Sequence, residues 1–220
     1  MSSICVIPAK GMSKRLPGKN IKEFAGRPII EYTIEAAIGA DCFDEIIVST
    51  RDGEIREIAE KAGAVPFFRS PETITDDAPM VDCVIEVLEA YPAETVCMAY
   101  AAAPFIKASR IWEAKLSIDN GCDTVFTGYR AEPPERVMIK HGDHFISRYP
   151  EYDNTNSQHF PAAYHSAGQF YFCKAEMVRR LRTVMLPRCW IIEIPQWEAV
   201  DIDTPDDWTM AEVLMEMRGK

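Results

Sequence analysis

Short apolar runs and amphipathic stretches alternate along the chain at regular intervals. Ile4-Cys5-Val6-Ile7 is continuously apolar, the pattern of a strand covered on both faces. After a polar loop, Ile30, Ile34, Ala37 and Ile38 recur at helical spacing, so a helix is expected from Pro28, at its first position, to about residue 40. Residues 45–49 read as a strand, 52–62 as a helix ended by Gly63, and 65–68 as a strand again. The same rhythm continues through a helix over 79–90, a strand over 95–100, a helix over 107–120 and a strand over 123–129. The helix over 107–120 begins near the cap candidate Ser109 and is stopped by Gly121. Strand, helix, strand in repetition predicts an α/β protein with a mainly parallel sheet and helical crossovers.

From 131 to 163 the rhythm breaks. Pro133-Pro134, His141-Gly142-Asp143, Pro150 and the polar run 153–158 interrupt it, and only 136–140 and 144–148 can pair, as a small β-hairpin. A long irregular insert in a compact domain is more often a functional or oligomer contact than plain surface. Regularity returns with an aromatic-rich strand over 168–173, a helix over 174–182, a strand over 190–194 and a final helix from Pro205 to about Arg218.

Length makes this one domain over 1–220, with 131–163 as an excursion from it. Neither a signal-like segment nor an apolar run of membrane-spanning length is visible, so a soluble cytoplasmic protein with no membrane partner is expected. A formal charge of -10 argues against general nucleic-acid binding, which draws its affinity from excess Lys and Arg. An acidic protein that handles an anionic nucleotide needs local cations or a divalent metal, and this raises the expectation of Mg²⁺. The seven cysteines form no CxxC pair and read as reduced core residues.

Two stretches carry candidate chemistry. The first apolar run breaks at Pro8 into a loop with Lys10, Gly11, Lys14, Arg15, Gly18 and Lys19. Backbone N–H groups and fixed positive charge at a strand end suit a polyphosphate. A solvated turn is the bland alternative, and the loop has neither spelling of the common phosphate loops. The second stretch is Asp201-Ile202-Asp203-Thr204-Pro205-Asp206-Asp207. In extended backbone the carboxylates of Asp201 and Asp203 share one side and suit a hard cation, with Ile202 packed inward. Thr204 then caps the helix begun by Pro205, and Asp206 and Asp207 lie in its first turn, where the macrodipole favours acids.

Together these motifs, in the form IPAKGMSKRLPGKN, VST followed by Asp52, and DIDTPDDW, resemble the CMP-sialic acid synthetase group of cytidylyltransferases over nearly the whole chain. Tyr149-Pro150-Glu151-Tyr152 and the YHSAGQFY run from Tyr164 to Tyr171 resemble its pseudaminic acid branch. The resemblance implies a Rossmann-like three-layer nucleotidyltransferase fold, CTP and Mg²⁺ as requirements, and a homodimer built partly by the excursion. It implies transfer of CMP from CTP to the anomeric hydroxyl of an acidic nine-carbon sugar, with release of pyrophosphate. Lys10, Lys14, Arg15, Lys19 and Asn20 are expected around the phosphates, with Pro8, Ala9 and Gly11 letting backbone approach the nucleotide. Arg69, Asp76 and Asp77 are expected near cytosine, and Ala102 to Phe105 beside the base or sugar. His165, Gln169 and Tyr171 are expected on the nonulosonic acid side, and Asp201 and Asp203 on the metal. For catalysis itself the resemblance implicates Lys10, Arg15, Lys19, Asp201 and Asp203. Met12, Met80, Asn156 and Ser166 depart from the group's usual residues. Another sugar acid (sialic, legionaminic or 3-deoxy-octulosonic) and a non-catalytic nucleotide- or sugar-binding protein of the same fold are the competing readings.

Overall fold

The computed structural model describes residues 2–218 apart from position 14, so the phosphate contact expected of Lys14 lies outside the described residues. In its first half the chain forms β1 (Ser3–Pro8), β2 (Glu23–Phe24), β3 (Arg27–Pro28), α1 (Ile29–Gly39), β4 (Glu45–Thr50), α2 (Gly53–Lys61), β5 (Val65–Phe68), α3 (Met80–Ala90), β6 (Thr95–Ala99) and α4 (Ala108–Asp119). The second half adds β7 (Thr124–Ala131), β8 (Met138–His141), β9 (His144–Ser147), β10 (Ala163–Lys174), α5 (Ala175–Leu181), β11 (Cys189–Glu193) and α6 (Pro205–Arg218).

Seven strands make one sheet in the order β11-β7-β10-β6-β1-β4-β5. β1 runs parallel to β4 and β6, β5 to β4 and β11 to β7, whereas β10 is antiparallel to both of its neighbours. Both faces are covered, which explains the unbroken apolar run in β1. Cys5 and Ile7 pack under α1, α2 and α4 with Ile34, Ile55 and Ile111, while Ile4 and Val6 pack under α3 and α5 with Val84 and Val178. Helices on both sides of a mainly parallel sheet give the expected three layers.

Three local readings shift by small amounts, each with a cause. Pro28 pairs with Glu23 in the β2–β3 ladder and so stays extended, one residue before α1. Lys107, not Ser109, holds the cap position of α4. β10 starts at Ala163, well before residue 168, because an irregularity lets Tyr164-His165-Ser166 rejoin β7. Between Ser166 and Tyr171 five steps of β10 oppose only the two steps from Gly128 to Phe126 on β7, and Gly168 turns to φ 62 within that irregularity.

Beyond the two faces, a third apolar cluster joins Leu16, Phe24, Ile29, Phe105, Ile202, Trp208 and Ala211. Phe24 meets Trp208 edge to face at 5.4 Å. This cluster fastens the loop after β1 to the segment before α6, although nearly the whole sequence separates them. The excursion carries the two-stranded β8–β9 hairpin, in register Ile139 to Ile146, closed by Gly142 at φ 63.

Candidate active site

The loop after β1 is built outward from the sheet. Ala9 is buried and its N–H donates to the Ser49 carbonyl at 3.0 Å, which fixes where the chain leaves the strand. Gly11 lies against Asp52 so closely that a Cβ there would stand 2.0 Å from Oδ2. Leu16 pins the far limb into the third cluster, and Asn20 Nδ2 donates to the Lys10 carbonyl at 2.9 Å, tying the two limbs together. The result is a cleft of about 420 Å³ onto which Pro8, Lys10, Arg15, Lys19 and Asn20 all face. Tyr100 and Ala102, beyond β6, and Arg69, beyond β5, complete its walls, so it opens past the C-terminal ends of these strands.

Asp201 and Asp203 line the same cleft. Ile202 between them is fully buried in the third cluster, which leaves both carboxylates on the open side as their alternation predicts. Asp203 is gripped at both oxygens: Lys19 Nζ lies 3.1 Å from Oδ1 and Arg15 Nη2 2.8 Å from Oδ2. Lys19 also donates to the Ile202 carbonyl at 2.6 Å. Burial, and then the nearby Asp203 charge, raise the Asp201 carboxyl above its ordinary value, against the opposing pull of Lys19 and Arg15. Burial first, then Tyr171, Asp201 and Asp203, push the Tyr100 phenol up to about 12.

α6 begins with a reciprocal cap. Asp207 Oδ2 accepts from the N–H groups of Asp203 and Thr204 at 3.1 and 2.8 Å, and Thr204 Oγ1 accepts from Asp207 N–H at 3.3 Å. Hydrogen bonding from Thr204 holds the Asp207 carboxyl below its ordinary value. Asp207 therefore orients the backbone of Asp203 as well as serving the helix.

Among the described residues there is no cluster of three or more His, Cys, Asp or Glu arranged for a metal. Two carboxylates on the open side of one cleft nonetheless fit a hard divalent cation of the kind that takes one or two protein oxygens and fills its shell from phosphate and water.

On the side expected to meet the base, Arg69 is almost wholly buried, donating through Nη2 to the Thr73 carbonyl and through Nε to Thr73 Oγ1 at 3.3 Å. Glu86 of α3 braces this turn, accepting from Ser70 N–H at 2.8 Å and from the Thr73 hydroxyl at 2.5 Å. Lys10 donates to the Thr75 carbonyl at 2.6 Å and lies 3.6 Å from Asp76. Asp76 lines the cleft; Asp77 is exposed beside it. Met12 and Met80 are both exposed at its mouth.

The residues expected on the sugar side separate. Phe105 is buried in the third cluster, where it supports both halves of the site from beneath. Tyr171 is buried against Phe126 and donates its hydroxyl to Ser166 at 2.8 Å. Gln169 is buried too, because the irregularity in β10 turns it inward, where Nε2 donates to the Glu198 carbonyl at 2.9 Å. His165 is exposed and lines a second cleft of about 420 Å³ with Tyr129, Arg130, Arg136 and Gln196. Sequence reading missed Glu198, a buried carboxylate between Lys107 Nζ at 2.8 Å and Arg110 Nη1. The only signal available was that Lys107 and Arg110 stand three apart on one predicted helix.

A profile of the family described as cytidylyltransferase matches residues 4–184. The chain belongs to the cytidylyltransferase family. As a cytidylyltransferase it is a CTP-dependent nucleotidyltransferase. It is 33% identical to the pseudaminic acid cytidylyltransferase of Campylobacter jejuni subsp. jejuni serotype O:2, over 97% of this chain and 96% of that one. It is 31% identical to the CMP-N,N'-diacetyllegionaminic acid synthase of Legionella pneumophila subsp. pneumophila, over 99% and 97%. The solved structure of CMP:2-keto-3-deoxy-manno-octonic acid synthetase complexed with CTP matches the cytidylyltransferase fold with a TM-score of 0.74 over 99% of this chain and 100% of that one, at 18% identity.

Proposed function

We propose that this cytidylyltransferase transfers CMP from CTP to the anomeric hydroxyl of pseudaminic acid or a close nonulosonic acid, releasing pyrophosphate. One observation carries the reading: Lys10, Arg15 and Lys19 converge with Asp201 and Asp203 on a single cleft at the strand ends. In-line attack of the sugar hydroxyl on the α-phosphorus needs no covalent enzyme intermediate, so the chain contributes positioning and charge. Lys10, Arg15 and Lys19 bind the phosphates and absorb charge on the departing pyrophosphate, with Asn20 holding the loop that carries them. Ala9 and Gly11 keep that loop close to the nucleotide. In this reading Arg69, Asp76 and Asp77 are on the base side and Ala102 is beside the base or sugar.

Asp201 and Asp203 are the residues to hold Mg²⁺, which when bound supplies further stabilisation of charge on phosphate oxygens. His165, with Arg130 and Arg136 in the second cleft, faces the acidic sugar, since two guanidinium groups and an imidazole suit a carboxylate and its hydroxyls. The identity with the Campylobacter jejuni enzyme supports pseudaminic acid as the sugar. The unit is proposed to span 1–220, to work in the cytoplasm and to pair as a homodimer through 131–163. All seven cysteines are unpaired, and no helix among the described residues is long and apolar enough to cross a membrane.

Pyrophosphate release measured with CTP, Mg²⁺ and a panel of pseudaminic, legionaminic, sialic and 3-deoxy-octulosonic acids tests the reading. Preferential release with pseudaminic acid is expected. Preference for another sugar acid reassigns the acceptor, and no release with any of them supports a non-catalytic binding role.

A further inference from the structure

Asp201 and Asp203 sit on a connector between β11 and α6 that has no ladder and no helix of its own beyond a short 3₁₀ turn at Gln196–Glu198. Such a segment is placed by what grips it. From the α6 side the grip is the Asp207 cap. From the β11 side it is Glu198, 3% exposed, whose carboxylate lies between Lys107 and Arg110 at the start of α4. The main-chain carbonyl of Glu198 accepts from Gln169 Nε2 at 2.9 Å, and the main-chain carbonyl of Gln169 accepts from Tyr100 N–H, also at 2.9 Å. Tyr100 lines the nucleotide cleft. Gly168, next to Gln169, stands so close to Asp201 that a Cβ would lie 3.3 Å from its Cγ. A continuous set of contacts thus runs from α4 through Glu198 and Gln169 to both the cleft wall and the first carboxylate.

Stability alone does not account for these residues. A buried carboxylate between two cations contributes little beyond what an apolar cluster of the same size would supply. Gln169 Oε1 is likewise buried with no protein partner among the described residues, so the side-chain amide is committed to its single bond with the Glu198 carbonyl. What the set does provide is a fixed distance between α4, the cleft wall and the acidic connector. We propose that Lys107, Arg110, Glu198 and Gln169 are positioning residues that hold the Asp201–Asp203 connector against the cleft wall and so set how strongly Mg²⁺ joins the bound nucleotide. This rests on the cytidylyltransferase reading and its metal pair.

The test compares CTP binding by calorimetric titration with and without Mg²⁺ in the full chain and two variants. Gln169→Met keeps the side-chain length but removes both the donor and the unpartnered carbonyl. Lys107→Met, at a side chain one-third exposed, removes one cation without entering the sheet. In each, the factor by which Mg²⁺ strengthens CTP binding should fall about tenfold, the usual effect of losing an outer partner of a metal ligand. CTP affinity without Mg²⁺ should stay within about twofold, as for independent sites. Should either folded variant retain the wild-type Mg²⁺ effect, or lose CTP affinity equally with and without Mg²⁺, the positioning role is overturned. If Gln169→Met does not fold, Lys107→Met decides alone. A wild-type protein that binds CTP no better with Mg²⁺ would instead sink the metal reading underneath.

Discussion

Lys19 and Asp203, 184 positions apart in the chain, meet at 3.1 Å between Nζ and Oδ1 across the mouth of the cleft. The contact unites the two stretches that carry the chemistry, and it separates two roles by experiment. Lys19→Ala removes a charge whose hydrogen bond to phosphate is worth roughly 1.5–3 kcal/mol if it strengthens in the transition state, or about 10- to 100-fold in turnover. Asp203→Asn keeps the shape and removes a negative oxygen, so turnover should fall most steeply at limiting Mg²⁺. Neither should shift stability by more than about 1 kcal/mol, since the pair is partly solvated. Steady-state rates across a Mg²⁺ series beside thermal melts check both. Unchanged rates for Asp203→Asn at limiting Mg²⁺ remove Asp203 from the metal, and a collapsed melt with surviving activity makes Lys19 structural.

Gly11 offers a second test, through sterics alone. Asp52 cannot swing away from a new Cβ at Gly11, because its Oδ1 already accepts from Glu54 and Ile55 N–H at 3.0 and 3.1 Å as the cap of α2. Gly11→Ala should therefore either displace the loop after β1 or cost the cap, about 1 kcal/mol. Asp52→Ser retains a capping oxygen and removes the closest colliding atom, Oδ2, while leaving an oxygen near the Cγ position 2.8 Å away, so the double variant should recover part of the lost stability. Thermal unfolding of the two single variants and the double variant reads this directly, and a double variant no better than Gly11→Ala alone would refute the contact.

Much of this architecture was legible because it follows local periodicity. The unbroken apolar run at Ile4–Ile7 announced a strand covered on both faces, and alternation at 201–203 put two carboxylates outward with Ile202 inward. What periodicity could not reveal lies where a register shift or a distant partner decides orientation. Gln169 points inward because β10 gains extra residues between Ser166 and Tyr171, a change that no spacing in the strand records. Phe105 is buried by Leu16, Ile202 and Trp208, none of them near it in sequence. Glu198 is one acid among many until α4 brings Lys107 and Arg110 to it.

Glu198 gives the acid dependence a sign. Burial pushes its carboxyl up, but hydrogen bonds from Lys107 and Arg110 outweigh that and hold it below the ordinary 4.5. The unfolded chain therefore takes up this proton at a higher pH than the folded one. Its contribution to stability is full above 4.5 and is lost as pH falls through the lower folded value. Glu198→Gln should flatten that part of the profile while lowering stability at neutral pH, where two cations lose their partner. Melting temperature followed through the acid range for both proteins measures it. A variant whose acid limb is as steep as the wild type's would show that other carboxylates carry the transition.

The excursion from 131 to 163 makes the last prediction, because its apolar side chains are not accommodated within the chain. Val137, just before β8, and Ile139, Phe145 and Ile146 on the two-stranded hairpin remain 43, 41, 64 and 39% exposed, and the hairpin by itself has no second layer to cover them. Apolar surface concentrated on a projecting hairpin is costly to leave in water, and a two-fold partner presenting the same hairpin offers a self-complementary cover. The cleft proposed for the nucleotide is drawn from the opening loop, the ends of β1, β5 and β6, the segment from Asp76 to Met80 and the connector before α6, and none of its lining residues comes from the hairpin. Replacing 136–148 with a short Gly/Ser loop should therefore yield a monomer that still binds CTP. Arg136 borders the cleft that holds His165, so the same change should impair sugar coupling. Light scattering combined with CTP titration and the pyrophosphate assay reads all three properties, and a dimer of unchanged mass with full sugar transfer would show that the hairpin serves neither pairing nor the acceptor.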